Sequence, residues 1–323
     1  MNPEEFLIST NAENFEQRAL TLFQYQYEHV PIYRSYVDLL KRNNPTSIEE
    51  IPFLPISFFK TERIIDSPEA NVALHFQSSG TGNSGRSQHF VRNKSWYDAS
   101  FLLGFTHFFG PVQEYVVLAL LPNYVEQGDS SLVYMVDSLI QQSCQTDSGF
   151  VLNEPTVLIE RYQKAIAQGK RVIIFGVSYA LLDLAELNID LSEAIIIETG
   201  GMKGRRKELT KAELHAELCK GLGVSHVQSE YGMTELLSQG YSMKNCKFQV
   251  VPWMKILVRD PYDPFTIFPL ERSGGINVID LANQHSCAFI QTQDLGRLVH
   301  DGFYLEGRFD EADVRGCNLL VNQ

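Results

Sequence analysis

The sequence predicts an α/β fold, with a mostly parallel sheet flanked by helices and then a smaller β-rich subdomain. Three observations lead there. From Val72 onward, short apolar runs alternate with helix-like stretches, the pattern of strand–helix units feeding a parallel sheet. Ahead of them, apolar residues recur at helical spacing, and after Val250 prolines cut the chain into short β-like runs. The expected division is a helical N-terminal segment over 1–60, an α/β core over 61–250, and a β-rich subdomain with a C-terminal tail over 251–323.

In chain order, Phe15, Ala19, Leu22, Phe23, Tyr27 and Val30 recur mostly three or four residues apart, marking one buried helical face. Ile51 to Ile56 is punctuated by proline and reads as extended. Buried strands are expected at Val72–Phe76, Tyr115–Leu121, Val172–Phe175 and Ala194–Glu198. Helices are expected at Ser95–Phe109, Leu132–Gln142, Thr156–Gln168, Tyr179–Leu187 and Thr210–Leu222. Thr210 followed by Glu213 is a capping box for the last of these. Beyond Val250, Ile256–Val258, Ile276–Ile279 and Ala288–Gln291 form the β-like runs, set between Pro252, Pro261, Pro264 and Pro269.

Composition narrows the function. The net charge of -12 argues against nucleic acid as a partner, because phosphate binding needs clustered Lys and Arg. No run reaches the roughly 18 apolar residues of a membrane span. Met1 to Glu5 is acidic, so no signal peptide is expected. The five cysteines are scattered and form no CxxC pair. That pattern fits a reduced cytoplasm and opposes a disulfide framework or a structural zinc site.

Four short motifs carry the chemistry. The first is Ser78-Ser79-Gly80-Thr81-Gly82, continuing through Gly85 to Arg86 after a strand-like run. Its glycines let backbone N–H groups approach phosphate oxygens, and its hydroxyls add donors. Arg86 adds a fork of donors for the same oxyanions. A polar strand-to-strand turn is the competing reading of this segment. A nucleotide P-loop is another, since Gly80 to Ser87 differs from that motif at one position. However, Arg86 stands in place of the lysine, and Gln88 to Val91 looks extended where a helix should open. The other motifs are Glu230 to Glu235 (Glu-Tyr-Gly-Met-Thr-Glu) after the β-like run Val224–Gln228, then Thr292-Gln293-Asp294-Leu295, then Gly307-Arg308-Phe309-Asp310.

In this order the four motifs resemble those of the adenylate-forming superfamily, the acyl- and aryl-AMP ligases. The resemblance implies that superfamily's N-terminal large domain, with 61–250 as a nucleotide-binding core, and ATP and Mg2+ as cofactors. It carries an adenine-facing ring to Tyr231 beside Gly232, a phosphate contact to Thr234, and the magnesium carboxylate to Glu235. Magnesium takes only one or two protein carboxylates. Asp294 matches the ribose-binding aspartate, Arg308 an arginine near ribose and phosphate, and Asp310 the interdomain hinge. Gly200 and Gly201, after the strand ending at Glu198, match the loop beside the adenine edge. Lys203 is read either as a surface lysine or as a contact to phosphate or carboxylate.

Within the superfamily the chain looks most like the bacterial luciferase-operon acyl-protein synthetases. Ile51 to Lys60, Gly200-Gly201-Met202-Lys203 and the ending Arg315 to Leu320 carry that likeness. It implies activation of a carboxylic, fatty acid as acyl-AMP and transfer of the acyl group to a cysteine near the C-terminus, here Cys317, for delivery to a reductase. A thiolate is a competent nucleophile; the bland reading of Cys317 is a small buried apolar residue. The chain stops near where the superfamily begins a C-terminal domain of roughly a hundred residues. A partner protein, Lys203, Arg86 or slower chemistry would replace that domain's lysine. By analogy the acyl pocket lies near Leu121 to Tyr124 and Ser130-Ser131. Two alternatives stay open: a ligase that hands its acyl-AMP to coenzyme A or an acyl-carrier protein, and a nucleotide-binding relative without catalysis.

Overall fold

The computed structural model describes residues 2–67, 69, 71–78, 85–122, 129–200 and 209–309. Helices α1 (Pro3–Ile8), α2 (Phe15–His29) and α3 (Pro31–Leu40) open the chain. The apolar face of α2 is buried as its spacing demands, but Gln26 joins it at 0% exposed while Tyr27 is only half-buried. The Gln26 amide explains the exchange. Its Nε2 donates to Asn283 O at 2.7 Å, and its Oε1 accepts from the Ala288 N–H at 2.9 Å. A polar residue can occupy a core face when both ends of its amide are satisfied. Strand β1 (Leu54–Pro55) and helix α4 (Phe58–Thr61) follow.

Strands β2 (Leu74–Gln77) and β3 (Gln88–Val91) pair antiparallel as a separate hairpin. The run expected as a buried parallel strand therefore lies outside the main sheet, with only Phe76 of β2 buried. The glycine-rich loop hangs from the end of this hairpin, where Gln77 faces Gln88. It leads into a strand rather than a helix, which removes the P-loop reading.

The alternating segment builds α5 (Lys94–Phe109), β4 (Tyr115–Leu120), α6 (Ser131–Ser143), β5 (Gly149–Phe150), α7 (Pro155–Ala167), β6 (Arg171–Val177), α8 (Ser178–Ala185), β7 (Ala194–Thr199), α9 (Lys211–Leu222) and β8 (Gln228–Tyr231). The order β5-β4-β6-β7-β8 is parallel throughout. Every residue of β4 is buried, as is all of β6 except Arg171. Strands covered on both faces have no polar side to alternate, hence their unbroken apolar runs. α6 packs on β4, α7 on β6, and α8 on β6, β7 and α9. The Thr210–Glu213 capping box closes the start of α9. β8 begins at Gln228, later than the Val224–Gln228 run expected, so Glu230 and Tyr231 lie on the strand itself.

At β8 the sheet changes direction. β9 (Gly240–Lys244), β10 (Lys247–Val250), β11 (Met254–Arg259), β12 (Ser273–Asp280), β13 (Phe289–Val299) and β14 (Gly302–Arg308) extend it antiparallel, in the order β8-β9-β10-β14-β13-β12-β11. β1 adds a parallel pairing to the start of β13, with Leu54 opposite Ile290. The proline-rich β-like segment thus completes one 12-stranded sheet. Among the described residues, no helix is long and apolar enough to cross a membrane.

Candidate active site

The two directions of the sheet meet at β8, and a cavity of about 400 Å³ opens beside its end. Ser78 and Arg86 reach it from the hairpin, Ser130 and Ser131 from the start of α6, Thr199 and Gly200 from the end of β7, and Glu230, Gly232 and Thr234 from β8 and the turn after it. Sequence-predicted residues Ser78, Arg86, Gly200, Gly232 and Thr234 therefore share one cavity. Ser79, Gly80, Thr81, Gly82, Gly201, Lys203, Asp310 and Cys317 lie outside the described residues.

The hairpin end is fixed by a reciprocal pair. The Ser78 N–H donates to Ser87 O at 3.0 Å, and the Ser87 N–H donates to Ser78 Oγ at 3.0 Å. Arg86 approaches Asp129 at 3.9 Å across the cavity mouth, with both side chains largely in solvent. Gly200 has φ +73°, a left-handed conformation that favours glycine. Its carbonyl accepts from Ser178 Oγ at 2.8 Å. Gly232 is closely packed for a different reason: a Cβ there would fall 2.1 Å from Glu230 Oε1, so the part-buried carboxyl that Thr199 holds would have to move.

Alternation along β8 sends its side chains to opposite faces. Glu230 points to the side of Thr199, whose Oγ1 donates to Glu230 Oε2 at 2.6 Å. Tyr231 points the other way, against Phe303 and Phe248, with ring centroids 5.5 Å and 6.1 Å away. Its hydroxyl donates to Asp294 Oδ2 at 2.9 Å, and Arg308 Nε lies 3.3 Å from Asp294 Oδ1. The second, third and fourth motifs are thus joined through Asp294. Burial raises the Asp294 carboxyl, while Arg308 and Tyr231 pull it back.

Thr234 and Glu235 are held by their backbones. His89 on β3, kept neutral by burial at about 4, donates from Nδ1 to Thr234 O at 2.8 Å. Asn283 Nδ2 donates to Glu235 O at 3.0 Å. The Glu235 side chain is 4% exposed. Burial raises its carboxyl, a hydrogen bond from Ser87 lowers it, and Arg308 and Asp294 act on it at longer range.

Three contributors went unseen in the sequence. Asp280 is fully buried, and its Oδ2 accepts from the Leu237 and Ser238 N–H groups at 2.7 Å and 3.0 Å. Its Oδ1 accepts from Ser238 Oγ and from the Ala282 N–H. It thereby pins the turn that follows the Glu235 motif. A carboxylate closing the apolar run Ile276–Ile279 was the available signal. Arg259, 4% exposed, donates to Ile276 O, Asn277 Oδ1 and Thr292 O and supports the strand carrying Asp294. Burial pulls its guanidinium down to about 10.

Glu230 is the third. Burial pushes its carboxyl up to about 7, the Thr199 bond lowers it, and the nearby Glu198 charge raises it further. Its folded pKa lies above its unfolded value of 4.5. Its contribution to stability is therefore greatest at low pH and falls as pH rises from about 4.5 to about 7, by on the order of 3 kcal/mol. We expect Glu230→Gln, which cannot ionise, to lose this slope. In urea titrations the variant should gain on wild type between pH 5 and pH 8; a constant difference would assign Glu230 an ordinary pKa.

A profile of the LuxE acyl-protein synthetases matches residues 2–323. The chain belongs to this family. Within it, the chain is similar to the long-chain-fatty-acid–luciferin-component ligase of Photorhabdus luminescens, at 40% identity over 63 residues. That stretch spans 19% of this chain and 54% of the relative, about half of its length. Among solved structures, ATP-bound MatB from Rhodopseudomonas palustris aligns with TM-score 0.57 and 18% identity, covering 76% of this chain and 49% of that one. A 2-hydroxyisobutyryl-CoA ligase in its postadenylation state, in complex with 2-HIB-AMP, aligns with TM-score 0.66 and 13% identity, covering 93% and 69%. These likenesses establish that the family member described here has the large-domain fold of adenylate-forming enzymes.

Proposed function

We propose that this chain uses ATP to activate a carboxylic acid, forming an acyl-AMP, and then passes the acyl group to a thiol. The observation that carries the reading is the meeting of three motif-bearing elements at the end of β8. These are the hairpin with Ser78 and Arg86, the Thr234–Glu235 turn, and the paired strands β13 and β14 bearing Asp294 and Arg308. Family membership agrees with it.

Ser78 to Gly82 and Arg86 bind the phosphates, Asp294 accepts from the ribose hydroxyls beside Tyr231 and Arg308, and Gly200 and Gly201 border the base. An oxygen of the substrate carboxylate attacks the α-phosphorus, and pyrophosphate departs. Thr234, the loop amides and Arg86 stabilise the charge that develops on the phosphate oxygens. Glu235 suits Mg2+: it is a buried carboxylate, bonded by a hydroxyl and without a contacting cation among the described residues. No described group of three or more His, Cys, Asp or Glu could cage a metal. This agrees with an ion held by one carboxylate and phosphates. Bound there, it neutralises phosphate charge. Lys203 meets the carboxylate or phosphates. Cys317 accepts the acyl group as a thioester, its sulfur displacing AMP, for a reductase-like or acyl-carrier partner. A fatty acid is the substrate class implied by the luciferase-operon likeness.

Acid-dependent ATP–pyrophosphate exchange tests the first step. Exchange with a carboxylic acid and magnesium is expected, and none with any acid would end the proposal. Cys317→Ser should keep exchange at the wild-type rate and lose hydroxylamine-labile acyl label from the protein. Retained label would exclude Cys317, and unaltered acylation of an added thiol would move the acceptor to coenzyme A or a carrier.

A further inference from the structure

The end of β7, where Thr199 and Gly200 line the cavity, is tied down from both faces of the sheet. Glu198 and Thr199 are consecutive on the strand, so their side chains leave it on opposite sides. Thr199 holds Glu230 on one side. On the other, Glu198 is fully buried, and its carboxylate accepts from Ser178 Oγ, from Ser229 Oγ at 3.0 Å and from the Lys211 ammonium. A buried charge persists when it is paired and hydrogen-bonded in this way. Ser178 is the first residue of α8, yet that helix has no side-chain cap. Its hydroxyl turns instead to Glu198 Oε1 and to the Gly200 carbonyl, 2.8 Å away, and the residue is 1% exposed. Gly200 itself has φ +73°, and a Cβ built on it would meet no atom of the described residues within 4 Å. Glycine is therefore kept here for its conformation, beside space that no described side chain fills. A left-handed peptide lining a cavity, with its carbonyl held by a buried hydroxyl, offers a ligand a fixed surface.

Resting on the reading above that puts the base of ATP beside Gly200, we propose that Ser178, oriented by Glu198, is a positioning residue for the nucleotide. It fixes the Gly200 peptide so that the base meets a surface already in its bound shape. Without the hydroxyl the peptide is free to turn, and binding then includes the cost of ordering it. Ser178 lies behind the cavity wall rather than on it, and takes no part in the bond changes at phosphorus. The competing role is a structural stitch between β7 and α8. The two roles differ in what is lost with the hydroxyl. A stitch spreads its effect over every substrate, whereas positioning acts through Gly200 and falls on the nucleotide.

The test is calorimetric titration of the full chain with magnesium-ATP, beside acid-dependent pyrophosphate exchange. Ser178→Ala should raise the Kd for ATP about tenfold, while the KM for the acid at saturating ATP stays within about twofold of wild type. Inorganic tripolyphosphate, which has no base, should compete equally well for wild type and variant. Gly200→Ala, strained by its left-handed φ, should also weaken ATP. Because Ser178 acts through Gly200, the double variant should bind within about twofold of the weaker single variant. Ser178→Cys, close in size and a weak donor, serves if the alanine variant melts early. An unchanged Kd for ATP in the Ser178 variants overturns the inference. An equal rise in the KM for the acid, an equal loss of tripolyphosphate, or single effects that multiply in the double variant also overturns it. The expected ATP shifts in a chain that exchanges with no acid keep this inference and end the activation. A wild-type chain that binds no ATP ends both.

Discussion

Glu235→Gln should lower acid-dependent pyrophosphate exchange by about 100-fold or more with little loss of stability. The magnitude is that of removing one preorganised charge-stabilising group from a dry site. Glutamine keeps the shape and an oxygen for the Ser87 hydroxyl but carries no charge for magnesium. The fold should tolerate the change because burial already works against the charged form of Glu235. Removing a buried charge that lacks a contacting cation is often neutral or favourable. The magnesium dependence is the diagnostic readout. Half-saturation should move to higher magnesium in the variant, and wild-type exchange with wild-type magnesium dependence would strip Glu235 of its assigned role.

Asp280→Ala should cost about 3–5 kcal/mol of stability, the largest effect we expect from one side chain. Its two oxygens accept from three backbone N–H groups and one hydroxyl, all buried. Alanine leaves those donors facing a small void with no acceptor. The Ser238 hydroxyl, which also meets Ser100 Oγ and accepts from Trp253 Nε1, then loses its Asp280 acceptor. Denaturant titration should show a lower midpoint at an unchanged m-value. Asp280→Asn, which keeps one acceptor oxygen, should fall between the two. A midpoint within about 1 kcal/mol of wild type for the alanine variant would show that the turn is held by other means.

The parallel half of the sheet was readable because β4 and β6 are covered on both faces and spell their burial as unbroken apolar runs. The motifs were readable because each is contiguous. β8 was not placed correctly, because Gln228 to Tyr231 is polar in sequence. Its polar residues are satisfied across the sheet: Ser229 donates to Glu198 on one face, and Glu230 accepts from Thr199 on the other. No local pattern encodes such pairing. The same holds for His89, whose partner Thr234 is 145 residues away, and for Asp280, whose partner Leu237 is 43 away.

The Gln26 amide sets an order of assembly. It joins α2 to backbone groups 257 and 262 residues later in the chain. Phe23 and Tyr33 wait equally long for the Phe289 ring that covers them. Loops of that length are costly to close before the contacts that reward closure exist. α2 and α3 therefore leave the ribosome long before the segment that covers their apolar face, and α2 docks only when β13 has emerged. A helix made about 260 residues before its partner strand is thus among the last elements to find its place.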